Sequence, residues 1–278
     1  MIEILSILFQ VAIVIFVVAT MLSMGLSLKV SEIVKPLKDS KLVSLMIGVN
    51  FLLIPLATLG INTLLPLDAG TQTALMILAL SAGAPFIPKL VEIAKSDTAL
   101  ATAVMLLLMV ATVVILPFAL PLFVEGDVVV DSLSIAKSLV IMMIIPLVIA
   151  LYIKAKKDAF AMKWQPIMVK LSNIALLVII VIMSILHGKA ILGIIGFDMI
   201  AIILFMIVAL FIGYIVAKPF HTNEVVSSLA AGQRNISAGL VVAAQNFAQD
   251  PKVSIVIIAV SVIGLFILLF SAKKFIRS

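Results

Sequence analysis

Long apolar runs dominate the chain, and short polar stretches separate them. Each run is close to the roughly 20 residues that a helix needs to cross a hydrocarbon core of about 30 Å. Nine such runs predict nine transmembrane helices, called spans 1 to 9 here. Their approximate limits are residues 4–26, 42–65, 73–94, 98–123, 132–153, 168–187, 191–217, 223–248 and 253–272.

Spans 3 and 8 differ from the others because helix-breaking residues interrupt their interiors. Span 3 carries Gly83, Pro85 and Pro88, and span 8 carries Gly232 and Gly239. Proline removes a backbone donor and clashes with the preceding turn, while glycine frees the backbone. We expect these five residues to be the hinges of two broken helices. Because irregular backbone at membrane depth is tolerated only against protein or a water-filled cavity, a polar binding site is expected there.

The two interrupted spans are five spans apart, so they run in opposite directions through the membrane. This spacing is typical of an inverted-topology repeat. Spans 1–4 would correspond to spans 6–9, with span 5 matching a helix that is missing at the N-terminus. The sequence therefore predicts an all-α polytopic membrane protein, a single integral membrane domain over residues 1–278.

Composition agrees with a membrane protein and excludes several kinds of site. The chain is 64% hydrophobic and 12% charged, which indicates a lipid bilayer as its surroundings. It contains no cysteine, so disulfides, thiol catalysis and cysteine-ligated metals are excluded. No other metal centre and no bound cofactor are expected.

The net charge of +6 is explained by topology rather than by a nucleic-acid partner. Thirteen basic residues fall in the odd-numbered loops and the C-terminal tail, whereas the even-numbered loops hold two, Lys189 and Lys252. Because basic residues accumulate in cytoplasmic loops, the N-terminus should lie outside a plasma (inner) membrane and the C-terminus in the cytoplasm. The thirteen are Lys29, Lys35, Lys38, Lys41, Lys95, Lys154, Lys156, Lys157, Lys163, Lys218, Lys273, Lys274 and Arg277.

Arg234 is the main candidate for a functional side chain, because charge inside a membrane is costly. It lies about three turns inside span 8, between Gln233 and Asn235. In one interpretation it is structural and bonds to carbonyls freed at the break of span 3. In the other it binds an anion or stands in for a bound cation, since a guanidinium fork suits carboxylate or sulfonate. Gln233 and Asn235 share the break and are candidates for neutral hydrogen bonds.

Lys89, Glu92 and Asn50 are the remaining candidates. Glu92 follows Lys89 by three residues, a helical spacing that allows an ion pair. Lys89 therefore either pairs with Glu92 at the cytoplasmic mouth or faces the substrate, and Glu92 is the candidate titrating group if protons are coupled. Asn50 either makes an interhelical hydrogen bond or belongs to the binding site.

Four motifs occur in order along the whole chain: Met21–Leu26 (MLSMGL), Asn50 with Pro55, Ser81–Lys89 followed by Ala94–Leu100 (AKSDTAL), and Gly232–Asn235 (GQRN). In this order and spacing they resemble the bile acid:sodium symporter family, as a divergent bacterial-type member with nine helices. The resemblance implies a core domain, in which the two broken helices cross, and a panel domain. It also implies alternating access and transport of an organic anion, typically driven by sodium.

The chain departs from the family pattern at the positions that the resemblance assigns to sodium. Aligned through Ala94–Leu100, the residues Pro85 to Pro88 replace a Thr-Ala-Ser-Asn run, and Ala101 and Met105 replace hydroxyl ligands. In span 8, Ala230 replaces a glutamate and Arg234 a glutamine. Sodium needs hard oxygen ligands, and most of these side chains have none.

We therefore expect a secondary active transporter of an organic anion, bile-acid-like or another carboxylate or sulfonate. Its sodium sites would be altered, with Arg234, alone or together with Lys89, as fixed positive charge. Two alternatives stay open: a sodium-coupled symporter that uses backbone ligands, and a non-transporting membrane sensor or scaffold of the same fold. An enzyme is disfavoured, because His187 and His221 lie near opposite faces and no His-Glu-x-x-His motif occurs.

Overall fold

The computed structural model describes residues 2–28, 38–124, 131–220 and 222–276, and every regular element in these ranges is helical. Four residues named above lie outside these ranges: the basic residues Lys29, Lys35 and Arg277, and the histidine His221. The α-helices are α1 (Ile2–Ser27), α2 (Ser40–Gly48), α3 (Ile54–Leu64), α4 (Ala69–Ala79), α5 (Ile87–Ile93), α6 (Thr98–Ala119), α7 (Ser132–Leu139), α8 (Ile145–Lys156), α9 (Asp158–Leu192), α10 (Phe197–Ala217), α11 (Glu224–Gly232), α12 (Ile236–Asn246) and α13 (Pro251–Phe275).

Seven helical segments in the described ranges are long and apolar enough to cross a membrane. They are Glu3–Ser27, Ser40–Leu64, Thr98–Leu122, Ser132–Lys156, Asp158–Leu192, Phe197–Phe220 and Pro251–Phe275. Two of them contain π-helical turns, Val49–Leu53 between α2 and α3 and Val140–Ile144 between α7 and α8. Each turn is followed by an Ile-Pro pair, and the missing proline donor and its ring clash account for the wider turns.

The two remaining predicted spans are each formed by a pair of short helices. Helices α4 and α5 are separated by residues 80–86, which we call the first break. Helices α11 and α12 are separated by Gln233, Arg234 and Asn235, which we call the second break. Both interruptions lie where the polar and helix-breaking residues of spans 3 and 8 predicted them.

Three of the five expected hinge residues lie inside helices instead, and one of them, Gly232, is the last residue of α11. Pro88 is the second residue of α5, where its missing N–H costs nothing because the first donors of a helix have no intrahelical partner. Gly239 lies in α12, and its N–H donates to the carbonyl of Asn235 at 3.0 Å. The second break therefore ends at Asn235, four residues before this glycine.

Helix α9 is longer than the predicted span 168–187. It extends from Asp158 to Leu192, with a kink at His187, whose φ of −132° and ψ of 29° are not helical. Trp164, which lies between predicted spans 5 and 6, is on this extension and stacks on Phe160 with ring centroids 5.6 Å apart. Burial of Ala161 in a small cluster with Leu26 of α1 and Ala150 of α8 explains why the extra turns are helical.

The helices form two groups. Helix α1 packs along α8 and α9, and a Cβ added at Gly25 would lie 2.6 Å from the Cβ of Ala150. In the other group α10 packs on α11, α4 packs on α13, and α5 packs on α6. Both breaks belong to this second group, and the face that it turns towards α1 and α9 holds the site described below.

A charged cluster joins the N-terminal ends of three helices in the second group. The ammonium of Lys252 (α13) bonds to the carboxylate of Asp68, which caps α4, and lies 2.8 Å from Asp198 (α10). Partial burial acts to raise the pKa of Asp68. Hydrogen bonds from Lys252 and the Thr71 amide, together with the Lys252 charge, outweigh burial and leave that pKa below its ordinary value.

Candidate functional site

The two breaks contact each other directly. The backbone N–H of Asn235 donates to the carbonyl of Ser81 at 2.8 Å, and its side-chain Nδ2 donates to the carbonyl of Gly83 at 3.2 Å. The Asn235 side-chain oxygen also accepts from the amide of Ala238 and caps α12. One residue of the second break therefore satisfies two carbonyls of the first break and starts the next helix.

The first break lies directly against the backbone of α6. Gly83 has a φ of +75°, and a Cβ there would lie 2.6 Å from the carbonyl oxygen of Met105 and overlap the backbone of Met109. Beside it, the buried hydroxyl of Thr112 accepts from the N–H of Ala82 at 2.9 Å and donates to its carbonyl at 3.0 Å. The Thr112 hydroxyl thus satisfies backbone groups of the first break that have no hydrogen-bond partner within a helix.

Arg234 is buried at the crossing of the two breaks, with 2% of its surface exposed. Its Nη2 donates to Oδ1 of Asn50 at 2.6 Å, and its Nη1 approaches the carbonyl of Ala79 at 3.5 Å. Ala79 ends α4, where free carbonyls carry partial negative charge. Among the described residues no carboxylate pairs with this guanidinium. Neutral oxygens thus hold its charge.

Asn50 lies in the π-helical turn that follows α2, and it is fully buried. Its Nδ2 donates to the carbonyl of Met46 at 3.0 Å, which turns its oxygen towards Arg234. The amide therefore makes the interhelical hydrogen bond considered in the sequence analysis, with a partner 184 positions away in the chain.

A cavity of about 940 Å³ lies between α1 and α9 on one side and α13 and the two breaks on the other. Five of the six binding-site residues proposed from the sequence line it, and Asn50 lies behind them in contact with Arg234. The five are Lys89, Glu92, Gln233, Arg234 and Asn235. Large apolar side chains, including Phe16, Met24, Phe86, Met105 and Leu268, make up much of the remaining wall.

Lys89 and Glu92 form an ion pair in the wall of this cavity. Lys89 Nζ lies 2.8 Å from Oε2 of Glu92, and the side chains are 56% and 60% exposed. This pair contrasts with Arg234, which lines the same cavity but is almost completely enclosed.

Hydroxyl side chains in the cavity wall were not proposed from the sequence. Six of them, Thr20, Ser23, Ser27, Thr102, Ser172 and Ser261, each donate to a carbonyl three or four residues earlier in the same helix. Their oxygen lone pairs remain available as acceptors. The spacing of Thr20, Ser23 and Ser27, three and then four residues, is the helical signal that marks one face and could have identified the row on α1.

A comparison with protein families matches residues 13–194 of the 278 to the Sodium Bile acid symporter family. The match begins within α1, includes the first break and extends to the end of α9. A comparison with curated proteins found no match.

Proposed function

The chain belongs to the sodium bile acid symporter family, and we propose that it is a secondary active transporter of an organic anion that works by alternating access. The observation that carries this proposal is the cavity of about 940 Å³ that reaches the crossing of the two breaks. Its mixed lining of apolar side chains, hydroxyls and basic groups suits an amphipathic carboxylate or sulfonate. The protein is an integral membrane protein of a transporter family, in agreement with its apolar helices.

We propose nine membrane spans, with the paired helices α4–α5 and α11–α12 as spans 3 and 8 of an inverted repeat. The group of α1, α8 and α9 would be the panel domain, and the group that contains both breaks would be the core domain. Lys89 and Glu92 lie in α5, and Lys95, one of the basic residues assigned to the cytoplasm, follows the end of that helix. The cavity would therefore open to the cytoplasm of a plasma membrane.

We propose further that fixed positive charge replaces the coupling sodium. Two side-chain oxygens at the crossing are engaged by nitrogen donors of the protein: Oδ1 of Asn50 by Arg234, and Oδ1 of Asn235 by the Ala238 amide. The carbonyls of Ser81 and Gly83 accept hydrogen bonds as well. Since sodium requires several hard oxygens, this donor set does not suit it.

The positions that correspond to the family's sodium ligands supply few side-chain oxygens in this chain. Ala101 and Ala230 are fully buried and carry no side-chain oxygen, and Met105 is 1% exposed. The apolar side chains at these positions support the proposal that Arg234, rather than a bound sodium ion, supplies the positive charge at the crossing.

The proposal is tested with purified protein in proteoliposomes. Uptake of radiolabelled taurocholate and of smaller carboxylates and sulfonates is measured with an inward sodium gradient and with potassium in its place. We expect saturable uptake of an organic anion that does not depend on sodium. Strict sodium dependence would refute the replacement of sodium and favour backbone ligands. Binding without uptake under all gradients would refute transport and favour a sensor.

A further inference from the structure

Among the described residues two basic side chains, Lys89 and Arg234, line the cavity, and their surroundings are opposite. Arg234 is 2% exposed and directs both Nη groups at oxygens of the protein. Lys89 is 56% exposed and donates one hydrogen bond, to Glu92. The two therefore differ in how easily an arriving anion could bind to them.

An anion that took Arg234 from its partners would leave buried oxygens of Asn50 and Ala79 without donors. The loss of such a partner costs the full desolvation penalty of each oxygen. No comparable loss occurs at Lys89, because an exposed ion pair contributes little and water can solvate a released Glu92. The ammonium also has three donors, so it can exchange Glu92 for an anion without losing its capacity for hydrogen bonds.

We propose that Lys89, and not Arg234, binds the anionic group of the ligand, and that Glu92 competes with the ligand for this ammonium. The inference rests on the proposed function, since it assumes that an organic anion enters the cavity. The Glu92 carboxylate, 2.8 Å from Nζ, occupies the position that the anion would take. Arg234 then acts as a fixed charge within the crossing, and apolar side chains such as Phe86 and Met105 contact the rest of the ligand.

Equilibrium binding to the full chain in lipid nanodiscs tests this assignment, with empty nanodiscs subtracted. The probes are 2-naphthoate, an apolar ring with a carboxylate, and 2-naphthamide, its neutral analogue. The variants are Lys89→Gln, Glu92→Gln and, as a matched loss of one positive charge, Lys95→Gln. Lys95 is exposed, near Lys89 in sequence and not part of the cavity wall.

Lys89→Gln should weaken 2-naphthoate binding by about tenfold, as expected for loss of a charge-assisted hydrogen bond. Glu92→Gln should strengthen it by about threefold, because the competing carboxylate is gone. Lys95→Gln should change it by less than about twofold, since solvent screens that charge. Binding of 2-naphthamide should stay the same in all three variants, which also shows that they are folded.

Equal losses in Lys89→Gln and Lys95→Gln would overturn the assignment, because bulk charge would then explain both. So would a wild-type protein that binds naphthoate no better than naphthamide, or weaker naphthoate binding in Glu92→Gln. The result is independent of flux: the expected binding pattern without uptake refutes transport and keeps the site, whereas uptake without this pattern keeps transport and refutes the site.

Discussion

The two breaks are formed in different ways, although they meet at one crossing. The first break is seven residues long and includes Gly83, at a φ of +75°, and Pro85. The second break is three residues long and contains neither proline nor glycine. Local sequence alone disfavours a helix in the first case but not in the second.

Tertiary contacts, rather than helix-breaking residues, stabilise the second break. Asn235 bonds to Ser81 and Gly83 across the crossing, and Arg234 reaches Asn50 and Ala79. A continuous helix through Arg234 would give up these bonds and leave the carbonyls of the first break without donors. The hydrogen bonds to the first break therefore stabilise the non-helical backbone of the second. Losing them would be costly in a membrane interior, where no water replaces them.

The largest effect is expected from Gly83→Ala at the first break. An added Cβ would overlap the backbone of α6, and alanine disfavours this positive φ. We expect a loss of about 4 kcal/mol or more in unfolding free energy, enough to prevent folding. The measurement is titration with SDS followed by circular dichroism.

The matched control is Gly60→Ala in α3, where an added Cβ meets no atom within 4 Å. It should change the same free energy by less than about 1 kcal/mol in either direction. Equal stability of the two variants would contradict the close approach of the first break to α6.

Arg234→Met tests whether the second break depends on its cross-chain contacts. The single variant leaves Oδ1 of Asn50 and the carbonyl of Ala79 without a charged donor, at an expected cost of about 2 to 3 kcal/mol. In the double variant Arg234→Met/Asn50→Leu, one orphaned oxygen is removed as well. The double-mutant cycle in SDS titration should therefore give a coupling of about 1 kcal/mol. Strict additivity would show that Asn50 does not hold Arg234.

Asn235→Ala should cost about 2 kcal/mol, because it removes the cap of α12 and the bond to Gly83 while the backbone bond to Ser81 remains. Asn246→Ala, at the far end of the same helix, is the control. Its amide bonds only within α12 to Val242, so a cost below about 0.5 kcal/mol is expected. Similar melting temperatures for the two variants would argue against Asn235 as the link between the breaks.

The smallest effect is expected at the charged cluster, far from both breaks. Asp68→Asn keeps an N-cap for α4 but loses the ion pair with Lys252, which should cost less than about 1 kcal/mol at neutral pH because Asp68 is half exposed. The pKa of Asp68 is lowered in the folded protein, so its contribution is complete above its ordinary pKa and is lost as the pH falls through the lowered value.

Melting temperatures of Asp68→Asn and the wild type should therefore converge in acid. Asp39→Asn, which changes the N-cap of α2 in the same way, is the control. A difference that persists in strong acid would mean that the ion pair is not its source.

Prediction from the sequence worked best where the local sequence alone determines the structure. Apolar length located the seven continuous helices, and clustered glycine and proline located the first break. It worked less well at Pro88, Gly232 and Gly239, because a helix start tolerates proline and the two glycines lie within α11 and α12. The extension of α9 was missed because burial of Ala161 against other helices, rather than its own apolar pattern, stabilises it.

Most of the residues proposed from the sequence line one cavity, but the sequence did not predict how they are arranged there. Lys89, Glu92 and the residues of the second break all line one cavity. No sequence pattern indicates that Arg234 is enclosed there while Lys89 and Glu92 are exposed. Thr112 and Asp198 were not proposed at all. Each acts through partners at least 30 positions away, which periodicity and spacing do not reveal.

The sequence by itself determined that this chain forms apolar helices, two of them interrupted, because lipid requires every backbone group to be satisfied within the protein. It also determined that a glycine lies at the first interruption and a basic residue at the second. Only the tertiary structure decided which oxygens hold Arg234 and which basic group stays accessible. The physical reason is that the partners of Arg234, at positions 50 and 79, come from other helices and meet it only after those helices pack.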